Sequence, residues 1–75
     1  MLKIKDSVDL KELEKFGLKY KKETDSEFEM YEWTRKTKFT YDYVSVFVWN
    51  RSINSNATDK LYDLIQAGLV EKVSD

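Results

Sequence analysis

Residues 41–49, Tyr-Asp-Tyr-Val-Ser-Val-Phe-Val-Trp, constrain the fold more than any other stretch. The even positions give Val44, Val46 and Val48, and the odd positions give Tyr43, Phe47 and Trp49. β-Branched and aromatic residues at period two suit a pleated strand. Apolar side chains on both faces predict a central strand with something packed against each side. The even face is smooth and β-branched, so it suits helices; the ring-bearing face is left looking for a cover.

The flanking segments read as two helices and two more strands. Asp9 and Glu12 resemble a capping box, with Val8 and Leu13 at hydrophobic-staple positions. Leu10, Leu13 and Phe16 share one face, and Gly17 followed by Leu18 predicts a Schellman closure onto Leu13. Residues 18–22 alternate apolar with Lys, as an edge strand does. Residues 23–26 read as a polar turn, and 27–34 as a second strand. Setting Lys21 opposite Glu27 and Lys19 opposite Glu29 brings Tyr20 to Phe28 and Leu18 to Met30, satisfying charge and apolar pairing together. Residues 35–38 form a basic turn before the central strand, and 50–56 a polar loop. The last helix starts near Thr58, with Asp59 in its first turn, a stripe of Leu61, Leu64 and Ile65, and Gly68 at its end.

The fold expected is α+β: a three-stranded antiparallel meander in the order α-β-β-β-α within one domain, 1–75, with both helices mainly on one face. Residues 2–5 or 69–73 add a short edge strand. The spacing Leu10-x-x-Leu13-x-x-x-Gly17-Leu18 recurs as Leu61-x-x-Leu64-x-x-x-Gly68-Leu69. Duplication is one reading; two helices of similar length ending in the same cap is the favoured one, because a Gly-capped helix end demands this spacing.

Composition excludes several chemistries. The 75 residues include no Cys and no His. Cysteine-based zinc sites, thiol redox chemistry and His-dependent nucleophilic systems are out. A core this small leaves a narrow stability margin, and 2 Trp, 5 Tyr and 4 Phe supply the burying bulk. With 13 basic and 14 acidic residues the net charge is −1, which argues against a strong generic nucleic-acid binder and against a DNA mimic. The opening Met-Leu-Lys-Ile-Lys reads as the start of a soluble, cytoplasmic chain, with no leader pattern and no membrane-spanning run. Asn50-Arg-Ser52 and Asn56-Ala-Thr58 match the glycosylation pattern as chance occurrences in a polar loop.

The stretch Ile4-Lys-Asp-Ser-Val-Asp-Leu-Lys-Glu-Leu-Glu-Lys-Phe-Gly17 and the closing Leu61-Tyr-Asp-Leu-Ile-Gln-Ala-Gly-Leu-Val-Glu-Lys-Val73 resemble small uncharacterised phage or prophage proteins of Gram-positive bacteria. The resemblance covers the two ends of the chain and not its middle. It implies an origin and carries no activity, cofactor or site residues.

Glu23, Asp25, Glu27 and Glu29 fall at period two, as a divalent-cation site, a catalytic pair or a solvated face would. With only Gly17 and Gly68 as glycines, no Gly-rich phosphate loop exists. The candidate partner-binding residues are Tyr31, Trp33, Arg35, Tyr43, Phe47 and Trp49, aromatics on a sheet with basic neighbours. The leading expectation is a small non-enzymatic phage-type accessory protein, without cofactor or metal, that binds another protein through these rings. The alternative is a weak single-stranded nucleic-acid binder using the same rings with Lys36, Lys38 and Arg51. Against both stands plain packing of the rings under a helix or a dimer mate. A homodimer pairing the sheets is compatible with either function.

Overall fold

A computed structural model describes residues 1–22 and 28–73. The strands are β1 (Leu2–Ile4), β2 (Lys19–Lys22), β3 (Glu29–Lys36), β4 (Tyr41–Phe47), β5 (Ile53–Ser55) and β6 (Val70–Lys72). A 3₁₀ helix (Leu10–Phe16) lies between β1 and β2, and one α-helix, α1 (Thr58–Gln66), between β5 and β6. β2-β3-β4-β5 form a four-stranded antiparallel sheet, and β1 pairs with β6 in a separate two-stranded one. The chain is therefore mostly sheet, and a three-stranded meander in the order α-β-β-β-α does not describe it. The two chain ends do not extend the meander as edge strands; they pair with each other. A Lys3–Ser52 bridge and the Ile4 N–H, which donates to Arg51 O at 2.9 Å, tie this ribbon to the start of β5.

The first helix departs from an α-helix for a reason visible in its spacing. Leu10, Leu13 and Phe16 recur every three residues, and a helix with three residues per turn sets them in one straight line. Asp9 caps it by accepting from the Lys11 N–H at 2.9 Å, while Glu12 pairs forward with Lys15 at 2.8 Å. Both helices end in the same Schellman closure. Leu18 N–H donates to Leu13 O (3.2 Å) and Gly17 N–H to Glu14 O (3.1 Å); Leu69 N–H donates to Leu64 O (3.3 Å) and Gly68 N–H to Ile65 O (3.0 Å). Gly17 and Gly68 have φ of 90° and 78°. The repeated spacing in the sequence thus encodes one cap used twice.

The core is Ile4, Leu13, Leu18, Tyr31, Val44, Val46, Ala57 and Leu64, with Val8, Leu10, Phe16, Trp33, Ile53, Leu69 and Val70 packed against it. Leu61 is half-buried, but Ile65 is exposed. Ile65 lies about 100° round the helix from Leu64, which points inward.

The β2–β3 register also differs from the one expected. Lys19 faces Glu32, Tyr20 faces Tyr31, Lys21 faces Met30 and Lys22 faces Glu29, a slip of three residues. Leu18 is held in the cap and fully buried, so it is not free to pair with Met30. Tyr20 meets the Tyr31 ring edge-on at 5.7 Å, and Lys22 approaches Glu29 at 3.9 Å. The expected Lys21–Glu27 pair and the turn at 23–26 involve residues outside those described. The loop at 50–56 contains a strand, β5. Among the described residues no helix is long and apolar enough to cross a membrane.

Candidate functional site

Register decides which side chains share a face of the sheet, because directly opposed residues in an antiparallel pair point the same way. The β3–β4 turn is Lys38-Phe39, held between two threonines. Thr37 N–H donates to Thr40 O (2.8 Å), and Thr37 Oγ1 accepts from the Thr40 and Phe39 N–H groups (2.8 and 3.3 Å). A two-residue loop at this place pairs odd residues of β3 with even residues of β4. Tyr31 therefore faces Val46, Trp33 faces Val44 and Arg35 faces Asp42. This is the packed face, carrying the core residues that the four-stranded sheet supplies, Tyr31, Val44 and Val46.

The candidate residues are split accordingly. Tyr31 is core, 8% exposed, and burial pushes its hydroxyl above the ordinary tyrosine range. Trp33 is half-buried between two cations, with Arg35 Cζ 5.2 Å and Lys60 Nζ 5.0 Å from its ring centroid. Arg35 bridges Asp42 (2.7 Å) and Asp59 (2.9 Å), joining β4 to the first turn of α1. The Arg35 guanidinium holds the Asp59 carboxyl below the usual carboxylate range. Asp59 thus serves the helix start through an ion pair with the sheet. Arg51 is also structural. It has a positive φ of 63°, and its Nη1 donates to the carbonyls of Lys5 (2.9 Å) and Val8 (2.6 Å). Its Nη1 is spent on the fold, stapling the β4–β5 turn to the turn after β1.

Tyr43 and Phe47 lie on the opposite face, which contributes nothing to the core cluster. Four residues of β4 alternate there: Tyr41, Tyr43, Ser45 and Phe47. Phe39 precedes them in the turn, 88% exposed, and Trp49 follows in the next turn, 73% exposed. Across from them on β3 stand Lys36, Thr34, Glu32 and Met30, on β2 Lys19 and Lys21, and on β5 Asn54. Among the described strand residues the open face carries three lysines and one glutamate, although the chain as a whole has a net charge of −1. Lys38 adds a fourth cation at the tip, 5.7 Å from the Phe39 ring centroid.

Phe39, Tyr41 and Met30 are not among the candidates, and Lys19 and Lys21 enter only through the basic stretch 19–22, which reads as a solubilising edge strand or a phosphate-contacting edge. The period-two signal in residues 41–49 extends backwards to Tyr41 and Phe39, which was available in the sequence. The lysines required the register. Of the acidic series, Glu23, Asp25 and Glu27 lie outside the described residues, and Glu29 is on the packed face beside Lys22. Both asparagines of the glycosylation patterns are engaged. Asn50 Oδ1 accepts from Ser52, and Asn56 extends the β4 ladder, accepting from Tyr43 N–H (2.7 Å) and donating to Tyr41 O (2.9 Å).

No family model matches the chain, and neither a curated protein nor a solved structure matches it.

Proposed function

We propose that this chain is a small non-enzymatic binding module whose open sheet face takes single-stranded nucleic acid. The observation that carries the reading is the file Tyr41–Tyr43–Ser45–Phe47, bordered by Lys19, Lys21 and Lys36 on neighbouring strands. Same-face side chains on a strand repeat about every 6.7 Å, close to the advance of a stretched single strand from one nucleotide to the next. Aromatic rings stack bases whatever their sequence, and lysines collect phosphates. The role is confined to one face, so the low net charge is no obstacle; the few lysines there make the binding weak, with a salt dependence that scales with the phosphates they contact. A phage-type origin, suggested by the chain ends, is compatible with such a part.

A second reading is favoured by one feature. Met30 lies directly opposite Phe47, with Lys21 next to it on β2, an apolar pair of the kind that anchors protein partners. Fluorescence anisotropy with a labelled oligothymidine separates the two. Single-strand binding falls steeply as salt rises and is lost in Tyr43→Ser/Phe47→Ser. No binding at low salt removes the first reading and leaves the second, which a pull-down with the same double variant as control then tests.

A further inference from the structure

The file of rings along β4 is broken once, at Ser45. Its row runs Lys19–Glu32–Ser45–Asn54 across all four strands and is polar from end to end. Ser45 is 9% exposed, a small side chain between Tyr43 and Phe47, so the face dips there. Glu32 and Asn54 stand on either side of the dip, two strand spacings or about 10 Å apart at the backbone. Among the described residues the Glu32 carboxylate makes no hydrogen bond or ion pair, and it is half-buried.

An acid in the middle of a lysine-bordered face repels phosphate. It is consistent with strand binding where it meets a base. A carboxylate accepts hydrogen bonds and donates none. An unpaired guanine presents two adjacent donors, N1–H and N2–H, on its Watson–Crick edge. Adenine and cytosine present one donor beside an acceptor, and thymine one donor between two acceptors. Guanine alone satisfies both carboxylate oxygens without opposing lone pairs. The Asn54 amide, across the dip, supplies a donor for the acceptor side of the same base.

We propose that the Glu32–Ser45–Asn54 row is a guanine-reading subsite within the aromatic file, with Glu32 as the specificity-determining residue. The proposal rests on the reading that this face binds single strands. The test compares oligothymidine with the same strand carrying one central guanine or one central adenine, by anisotropy at low salt. The full chain and Glu32→Gln are used, with thermal melting to show that the variant is folded. The expected result is roughly ten-fold tighter binding of the guanine strand. Glu32→Gln erases that preference while oligothymidine binding strengthens, because one repelling charge is gone. Equal binding of all three strands by the full chain, or a guanine preference that survives Glu32→Gln, overturns the subsite and leaves single-strand binding standing. Failure of every strand to bind overturns both.

Discussion

Val44 and Val46 on one side of β4, and Tyr43 and Phe47 on the other, are neighbours in sequence separated by the thickness of a backbone. The valines are completely buried in one cluster with Leu13, Leu64 and Ile4, while the rings stay partly open and, among the described residues, outside that cluster. A 75-residue chain has one set of helices and covers one face with it. The smooth β-branched face accepts the helices because branched side chains fill the pleat without gaps. The face with the larger rings, which would bury more area, is the one left partly open. That choice costs stability, and it is the reason for looking there for function.

The comparison makes graded predictions. The largest effect belongs to the packed side. Leu13→Ala, which empties the core and strips the apolar contact from the first cap, is expected to cost about 2–5 kcal/mol in chemical denaturation. In a domain this small that is much of the total. Arg51→Ala follows, expected to cost about 1.5–3 kcal/mol because two carbonyls lose a charged donor. Both bonds leave the single Nη1, so Arg51→Lys, whose ammonium has three donors on a shorter side chain, is expected to recover part of the loss.

The two caps sharpen the contrast further. A Cβ on Gly17 would stand 3.3 Å from Trp33 Cδ1, whereas one on Gly68 would meet nothing within 4 Å. Both alanine variants carry the strain of a positive φ, about 1 kcal/mol, and Gly17→Ala should melt lower than Gly68→Ala. Equal melting temperatures would show that Trp33 yields freely. A smaller effect attaches to pH. Asp59 has its folded pKa depressed by Arg35, so the stability it contributes is present above its ordinary value of 3.8 and is lost as pH falls through the lower folded value. Melting temperature in the acid range should therefore fall less steeply in Asp59→Asn, and only slightly less, because the carboxylate is exposed. On the ring-bearing side, Tyr43→Ser/Phe47→Ser removes two half-buried rings and is expected to cost less than Leu13→Ala. If that double variant unfolds as readily as Leu13→Ala, the open face is a structural surface after all.

Much of this division was legible in the sequence. Period-two patterning marks β4, and its valine side does meet the helices. Gly17-Leu18 and Gly68-Leu69 announce both helix ends, since few residues other than glycine adopt the required left-handed conformation. What was not legible follows from two turns. The Lys38-Phe39 turn contains no glycine or asparagine and is held by Thr37 Oγ1, so none of the usual turn residues marks its length. Without that length the parity of β3 against β4 was open, and Tyr31 and Trp33 were grouped with Tyr43 and Phe47 although a backbone lies between them. The β4–β5 turn places Arg51, not a glycine, at positive φ, and β5 has one apolar residue, Ile53. A three-residue strand with that composition reads as loop. Arg51 and Arg35 looked available for ligands because charge is visible in a sequence and the carbonyls or carboxylates that occupy it are not.

The central claim is that the ring-bearing face of β4 contacts a single strand while the valine face does not. Chemical-shift mapping of the labelled protein titrated with oligothymidine at low salt tests it residue by residue. The account predicts side-chain shifts along Tyr41, Tyr43, Ser45 and Phe47, at Lys19, Lys21 and Lys36 and on the Glu32–Asn54 row, with the side-chain methyls of Leu13, Val44, Val46 and Leu64 unmoved. Shifts centred on Trp33, Arg35 and α1, or no shifts on β4, would contradict it.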